Sequence, residues 1–251
     1  MKRILAFAGA RSEKSRSVTI AKKIYDEVIE SNKGKVIGDF FTPNEINILP
    51  STGCRNCFNK GFCPSDSLKE DTTSIFKEKI ALADLIILSS PVYSHNVSGD
   101  IKNLIDRLSY WTHIFKLAGK PLILISTAMS NGAEHVLNYM NKVFTSMGSV
   151  TVKGEYFLQI ESKEEVNKKI EQVIHVADSY IKKSSIVMPS EAQERLFNFY
   201  KEIINTYPED NFEYMHWKKE GLFYKNTLEE YVVEKESSPY SLKLSHLDWN
   251  R

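Results

Sequence analysis

Short apolar runs and amphipathic stretches alternate along the first 183 residues of the chain. An apolar run bounded by glycine or proline predicts a buried strand, and apolar residues three and four positions apart predict a helix. The run over residues 84–91 is almost continuously apolar, which is typical of a strand buried on both faces of a parallel sheet. The predicted strands are residues 3–8, 36–41, 84–91, 121–125 and 150–160.

Between these predicted strands, apolar residues recur at the spacing of a helix. The predicted helices cover residues 20 to about 34, 68–82, 98–117, 133–147 and 163–183. Parallel strands need crossover connections, and right-handed helical crossovers cover both faces of the sheet. The pattern therefore predicts an α/β fold, a three-layer α/β/α sandwich around a five-stranded parallel sheet. Five strands of this length favour the flavodoxin-like strand order 2-1-3-4-5.

The pattern changes at about residue 189, where aromatic residues accumulate. One helix is predicted over residues 192–204, and no clear period follows Pro208. So many aromatic residues are not typical of a disordered tail. We predict a domain of residues 1–185 and a C-terminal extension of residues 186–251 that covers the active site or contributes to an oligomer interface. Packing of the extension on its own core is the alternative.

Charge and composition exclude several classes of function. The 251 residues carry a net charge of +1, so no basic excess indicates nucleic-acid binding. No stretch approaches the roughly 20 apolar residues of a membrane span, and the apolar N-terminal run is too short for a signal peptide. We expect a cytoplasmic protein. Its three cysteines lie in one short segment, which argues against a disulfide framework.

Three predicted loops follow strand ends at the edge where such sheets bind ligands. The first, residues 9–17, is rich in serine and carries Arg11 and Arg16 immediately before a helix. Hydroxyls and amides at a helix N-terminus form a phosphate site. A surface loop with Ser17 as the helix cap is an equal alternative. The chain has neither a G-x-G-x-x-G nor a P-loop lysine pattern, which argues against NAD-first binding.

The second loop, residues 90–99, offers apolar and aromatic surface at Val92 and Tyr93. Such a surface suits a planar heteroaromatic ring, whereas the alternative is a turn that Ser98 caps. His95 is a candidate acid because histidine titrates near neutrality, although an exposed loop histidine is more common. The third loop, residues 126–133, has small residues that allow close backbone approach.

The most distinctive run lies between residues 83 and 108. It reads A-D-L-I-I over residues 83–87, P-V-Y over residues 91–93, serine at 98 and K-N-L-I-D-R-L over residues 102–108. Within it, Asp106 and Arg107 are predicted to form a structural ion pair. With the three loops, this run resembles the NAD(P)H-dependent FMN reductase branch of the flavodoxin-like superfamily, which includes iron–sulfur flavoproteins and quinone, nitro and azo reductases. The resemblance covers roughly residues 1 to 180.

The resemblance implies non-covalently bound FMN, with NAD(P)H as the hydride donor and a quinone, nitro compound, flavin or other small molecule as the acceptor. The catalytic candidates are Tyr93 and His95, and a homodimer or homotetramer is expected. Carried over by position, the implied phosphate contacts are Arg11, Ser12, Ser15, Arg16 and Ser17. The implied ring or ribityl contacts are Pro91, Val92, Tyr93, Ser94, Asn96, Thr127, Ala128 and Gly132.

Two segments depart from the family pattern. The first loop reads Gly9-Ala10-Arg11-Ser12, so the usual serine and arginine of the family are replaced, and Arg11 or Arg16 is expected to supply the positive charge. The related cysteine segment carries four cysteines, whereas this chain has Ser51 at the first position, followed by Cys54, Cys57 and Cys63. A [4Fe–4S] cluster normally takes four thiolates, so we expect no metal, with an iron–sulfur cluster and then zinc as alternatives.

Two other functions follow from these departures. A cluster would make the protein an electron-transfer flavoprotein fed by ferredoxin. An altered phosphate loop would also fit a partner-binding protein whose flavin site is vestigial.

Overall fold

Five apolar runs form the strands of one parallel sheet in the computed structural model, which describes residues 1–183 and 186–237. The strands are β1 (Lys2–Ala8), β2 (Val36–Phe41), β3 (Leu85–Pro91), β4 (Pro121–Ala128) and β5 (Val150–Leu158). The helices are α1 (Arg16–Ser31), α2 (Asn56–Lys60), α3 (Thr73–Leu82), α4 (Gly99–Leu108), α5 (Trp111–Ile114), α6 (Ala133–Ser146), α7 (Lys163–Lys183), α8 (Glu191–Ile204), α9 (Phe212–Lys219) and α10 (Leu228–Ser237).

The strand order is β2-β1-β3-β4-β5, so the predicted flavodoxin-like topology is confirmed. β3 lies at the centre and pairs in parallel with β1 on one side and β4 on the other. All seven of its residues are buried, as the continuous apolar run indicated. Because neighbouring strands run in parallel, their carboxyl ends lie at one edge of the sheet.

Alternate residues of the strands pack against helices on opposite faces. One face buries Leu5, Ile86 and Leu124 together with side chains of α3, α4 and α6. The other face buries Ile4, Ile87 and neighbouring residues under α1 and α7. The sheet is therefore the middle layer of an α/β/α sandwich, as the alternating pattern predicted.

The predicted long helix over residues 98–117 is wrong. α4 ends at Leu108, and a separate short helix, α5, follows. The Ser109 hydroxyl donates to the carbonyl of Asp106 (2.9 Å), a local bond of the kind that competes with helix propagation. Phe115 then adopts a left-handed backbone (φ +45°), which turns the chain toward β4 and buries the Phe115 ring.

Other predicted boundaries also shift. α3 begins at Thr73 rather than at residue 68, because Asp71 accepts a hydrogen bond from the Thr73 amide (2.8 Å) and starts the helix there. β4 continues to Ala128, so Thr127 and Ala128 belong to the strand and not to the loop after it. Two helices, α9 and α10, form beyond Pro208, where the sequence showed no period.

The described part of the C-terminal extension packs on the α/β layers through aromatic residues. Phe197 stacks on Trp217 with ring centroids 5.3 Å apart, and both contact Phe115. The indole of Trp217 donates to the carbonyl of His113 (2.7 Å). The division at residue 185 stays a prediction, and residues 238–251 lie outside the described residues. None of the helices described for this chain combines the length and apolar character of a membrane span.

His216 on α9 is a buried histidine within this extension. It is 7% exposed, and burial, together with the positive charges of Lys116, Lys235 and Lys219, lowers its pKa from 6.5 to about 3. Between these two pKa values the unfolded chain holds a proton that the folded chain does not. The free energy of unfolding therefore falls as the pH drops from 6.5 toward 3.

Replacing His216 with glutamine is expected to flatten this pH dependence. The slope should decrease by about 1 kcal/mol per pH unit within the window. Urea denaturation at several pH values between 4 and 7 measures the slope. His175→Gln, on the exposed side of α7, is the matched control and should leave the slope unchanged. Equal slopes for His216→Gln and the unaltered chain would contradict the assignment.

Candidate functional site

Three loops meet at the carboxyl edge of the sheet because β1, β3 and β4 are neighbours. The Gly9 amide donates to the carbonyl of Ser89 (2.8 Å), which joins the first loop to the end of β3. The Val92 amide donates to the carbonyl of Thr127 (2.9 Å), which joins the second loop to the end of β4. The structure therefore brings together the three loops in which the sequence placed candidate site residues.

The first loop leads into a helix with an open N-terminus. Ser15 is the cap residue of α1, but no side chain accepts a hydrogen bond from the first-turn amides, and that turn has no acidic residue. The Ser15 hydroxyl instead lies 2.8 Å from the hydroxyl of Ser17. By contrast, the Ser98 side chain accepts from the Ile101 amide and caps α4. Uncapped amides and two hydroxyls at the positive end of a helix form an anion cradle.

The two arginines of this loop have different environments. Arg11 forms two hydrogen bonds with Asp100 (2.8 and 3.2 Å), and that bond and charge raise the pKa of Arg11. Arg16 extends toward the end of β5, where its Nη1 donates a hydrogen bond to the side-chain oxygen of Gln159 (3.2 Å). The Nε and Nη2 atoms of Arg16 are buried without a hydrogen-bond partner among the described residues. Nη2 of Arg16 also lies 3.8 Å from a carboxylate oxygen of Glu161, an ion pair without a hydrogen bond. Arg16 thus retains unbonded donors for an anion, whereas Asp100 forms hydrogen bonds with Arg11.

The second loop is a tight turn that presents an aromatic side chain. The backbones of Tyr93 and Asn96 exchange two hydrogen bonds (2.9 and 3.0 Å) around Ser94 and His95. Both central residues have positive φ angles, +49° and +59°, as in the two-residue turns of hairpins. Tyr93 is 58% exposed, so the turn holds an aromatic surface open at this edge.

Gly132 brings the third loop against the second. Its φ angle is +81°, and a β-carbon at this position would lie 2.9 Å from Cγ1 of Val92 and 3.1 Å from Nδ1 of His95. Glycine therefore relieves both backbone strain and a steric clash here. The close contact places Val92, His95 and Gly132 beside one another.

Sequence reasoning missed several residues at this edge. Ser126 is fully buried, and its hydroxyl has no partner among the described residues. Gln159 and Glu161 follow β5 and approach Arg16, and the Asn44 side chain donates to the carbonyl of Arg11 (3.0 Å). The end of β5 at this same edge was the available signal for Gln159 and Glu161.

These features fit a phosphorylated aromatic cofactor. Orphaned donors on Arg16 and the open end of α1 suit the phosphate, while Tyr93, Val92 and Gly132 border a surface for a ring. The unpaired Ser126 hydroxyl adds a buried polar atom close to the end of β4. The remaining predicted residues lie in these same loops or strand ends: Ser12, Pro91, Ser94, Asn96, Thr127 and Ala128.

The cysteine segment lies against α4 and α9 rather than in these three loops. Cys54 is exposed, whereas Cys57 and Cys63 are half-buried. Hydrogen bonds from the Asn56 amide and the Thr52 hydroxyl lower the pKa of Cys54, and burial raises the pKa of Cys57. Across the described ranges, no group of three His, Cys, Asp or Glu side chains is placed to hold a metal ion. The three cysteines as placed therefore do not fit an iron–sulfur cluster.

Arg107 anchors the segment that carries the cysteines. The predicted ion pair of Asp106 with Arg107 is wrong, because consecutive residues of a helix point in different directions. Asp106 pairs with Lys102 (2.5 Å) on the surface. Arg107 is 3% exposed, forms ion pairs with Asp66 and Asp71, and donates to the carbonyl of Leu49 (3.0 Å).

The charges in this cluster stabilise one another. Burial disfavours the charge of Asp71, but hydrogen bonds from Arg107 and Thr73 outweigh it and lower the pKa of Asp71. Burial likewise opposes the charge of Arg107, yet its bond to Asp71 and the nearby negative charges raise the pKa of Arg107. The loop over residues 42–72 is therefore held to α4 by buried charges.

A model of the family described as NADPH-dependent FMN reductase matches residues 2–163, which include β1 to β5 and the three loops. The chain belongs to this family.

Two curated relatives share part of the sequence. A protein named iron-sulfur flavoprotein from Archaeoglobus fulgidus is 35% identical over 103 residues, which cover 40% of this chain and 44% of that protein. A second protein of that name, from Methanocaldococcus jannaschii, is 24% identical over 60% of this chain and 75% of its own length. The match thus spans less than half of the Archaeoglobus relative.

Solved structures share the fold at low identity. An NADH:FMN oxidoreductase in its apo form is 18% identical, with a TM-score of 0.55 over 77% of this chain and 94% of that chain. An azoreductase from Bacillus anthracis str. Sterne is 13% identical, with a TM-score of 0.54 over 71% of this chain and 100% of that chain. These likenesses agree with the observed strand order.

Replacing Arg107 with methionine is expected to destabilise the protein strongly. The substitution leaves the buried carboxylate of Asp71 without its counter-charge, which typically costs about 3–5 kcal/mol. Lys102→Met on the same helix removes only an exposed pair and should cost about 0.5 kcal/mol or less. Urea denaturation followed by tryptophan fluorescence measures both. A similar small loss for the two variants would show that Arg107 is not an anchor.

Proposed function

We propose that this chain binds FMN at the carboxyl edge of its sheet and passes electrons from NAD(P)H to a small acceptor such as a quinone, a nitro compound or another flavin. The observation that carries the proposal is the open N-terminus of α1 beside Arg16, whose Nε and Nη2 form no hydrogen bond, although Nη2 lies 3.8 Å from Glu161. This arrangement offers an anion several donors that the protein itself does not use. The family membership supports FMN as the molecule that brings the anion.

The first loop would hold the phosphate. The amides of the first turn of α1 and the hydroxyls of Ser15 and Ser17 face a negative charge favourably, because the helix dipole is positive at this end. The guanidinium of Arg16 would add charge-assisted hydrogen bonds. Arg11, engaged by Asp100, would shape the loop and contribute less to binding.

The second and third loops would hold and orient the ring. Tyr93 and Val92 offer apolar surface, and the Gly132 backbone can approach closely because it has no side chain. Backbone amides of the tight turn can bind the polar edge of the ring. FMN, when bound, supplies the hydride and electron chemistry, while the protein supplies binding, orientation and exclusion of water. His95, beside Gly132, is the side chain placed to hold a proton near that edge.

Oligomerisation would complete the site. Tyr93 is 58% exposed and Met129 is 75% exposed, so both loops present large apolar side chains at the proposed flavin edge. We propose that a second copy of the chain covers this edge in a homodimer or homotetramer, and that the extension contributes to that assembly. A cytoplasmic location accords with this redox chemistry.

Steady-state oxidation of NADH and NADPH by the FMN-loaded protein tests the function. We expect oxidation that accelerates when a quinone, a nitroaromatic compound or free flavin is added. A yellow protein that releases FMN on acid treatment but oxidises neither nucleotide would favour an electron-transfer flavoprotein. A colourless protein that takes up no FMN would overturn the proposal in favour of a vestigial site.

Replacing Arg16 with glutamine should weaken FMN binding at least tenfold, because a charge-assisted contact to phosphate is worth about 1.5–3 kcal/mol. Arg11→Gln is the matched control and should change the affinity less than about threefold, because Asp100 already engages Arg11. Titration of the unloaded protein with FMN, followed by flavin fluorescence, gives both dissociation constants. A larger effect at Arg11 would reverse the assigned roles.

A further inference from the structure

A second cavity lies away from the proposed flavin edge, between the cysteine segment and the extension. Its volume is about 180 Å³. No residue of the three loops borders it. The lining residues are Arg55, Phe58, Asn59, His113, Tyr207, Pro208, Asn211 and Glu213.

The inner wall carries a buried carboxylate paired with an imidazole. The Glu213 side chain is 3% exposed, and its Oε1 lies 2.9 Å from Nδ1 of His113. The imidazole of His113 packs on the ring of Tyr200 with centroids 4.6 Å apart, which holds its orientation. Burial and then the charge of Glu213 raise the pKa of Tyr200 and of Tyr207, so both phenols remain protonated near this carboxylate.

The outer wall carries a cation. Arg55 is exposed, and its guanidinium forms no ion pair or hydrogen bond with the described residues. Its backbone is left-handed (φ +59°), an uncommon conformation for a side chain other than glycine, and it starts α2. The structure therefore puts an uncommitted positive charge at one side of the cavity and a buried negative charge at the other.

Aromatic rings form the walls between these charges. The Phe58 ring meets the His113 imidazole edge to face, with centroids 5.0 Å apart, and Tyr207 lines the cavity as well. Docking of the two segments is tight, because a β-carbon on Gly61 would lie 2.3 Å from the Phe212 ring. Contacts between α2 and α9 thus build the inner part of the cavity, and the side that Arg55 borders is open to solvent.

We propose that this cavity binds an aromatic carboxylate with one ring and a hydroxyl group para to the carboxylate. The volume accommodates one ring, since a cavity of about 150 Å³ accepts benzene. The guanidinium of Arg55 binds the carboxylate of the ligand, and the carboxylate of Glu213, held by His113, accepts a hydrogen bond from the hydroxyl of the ligand at the inner wall. Phe58 and Tyr207 pack on the ring.

Calorimetric titration of the full-length chain, with FMN added, tests the site with 4-hydroxybenzoate as the probe. We expect one binding site per chain with a dissociation constant below about 1 mM. Benzoate and phenol each lack one of the two polar groups, and each should bind at least about fivefold more weakly. No heat of binding for 4-hydroxybenzoate up to about 10 mM would overturn the proposal.

Variants locate the bound probe. Arg55→Gln alters only an exposed side chain and should weaken 4-hydroxybenzoate binding about tenfold. Lys60→Gln, on the same short helix but outside the cavity, is the matched control and should have no effect. Phe58→Leu should also weaken binding without removing a charge.

The flavin absorption spectrum separates this site from the flavin edge. Binding in the proposed cavity leaves the spectrum of the loaded protein unchanged and depends on Arg55. Binding that perturbs the flavin bands and is equal in the unaltered chain and in Arg55→Gln would place the probe at the flavin and overturn the proposal. The result does not depend on oxidoreductase activity.

Discussion

The parallel pairing of β3 with both of its neighbours is the constraint on which the rest of the structure depends. Every residue of β3 is buried, and Ile86 and Ile87 are inaccessible to solvent. Apolar burial on both faces places β3 at the centre, between β1 and β4. Its position determines that the three loops leave the sheet side by side. Short backbone hydrogen bonds, such as that from Val92 to Thr127, then hold the loops in contact.

Several polar groups at this edge lack hydrogen-bond partners, as do single buried atoms of Asn32, Thr73, Arg107 and Thr151 elsewhere in the described residues. α4 and α8 begin with serine caps, and α8 has a full capping box, whereas α1 begins without a side-chain cap. Arg16 and Ser126 keep buried polar atoms without partners in the described part of the chain. Native proteins satisfy nearly all such groups, so two unbonded donors of Arg16 beside the uncapped end of α1 are a physical argument for a ligand there.

Buried charge and aromatic packing attach two further segments to this framework. Arg107 holds the loop over residues 42–72 through Asp66, Asp71 and the carbonyl of Leu49. The extension packs through Trp217 and Phe197 on His113 and Phe115, which lie after α4 in the connection between β3 and β4. The two segments meet at α2 and α9, and their contact creates a cavity that neither forms alone.

The sequence by itself determined the five strands and the three loops that carry the candidate residues. It placed the crossover helices with errors at their boundaries, and it favoured the strand order that the structure confirms. The period of apolar residues indicates which side chains are buried. Strands buried on both faces of a parallel sheet are compatible with only a few chain topologies. Only the tertiary structure decided which charged side chains form ion pairs with one another. Arg11 and Arg16 are equivalent in the sequence, but Asp100 forms hydrogen bonds with the first, whereas Glu161 lies 3.8 Å from the second and leaves its donors unbonded. Arg107 pairs with residues more than 30 positions away, and the buried face of α9 includes the polar residues Glu213 and His216, so neither leaves a local apolar pattern. Such contacts form between segments that are distant in sequence and adjacent only in the folded chain, so the spacing of residues within one segment cannot predict them.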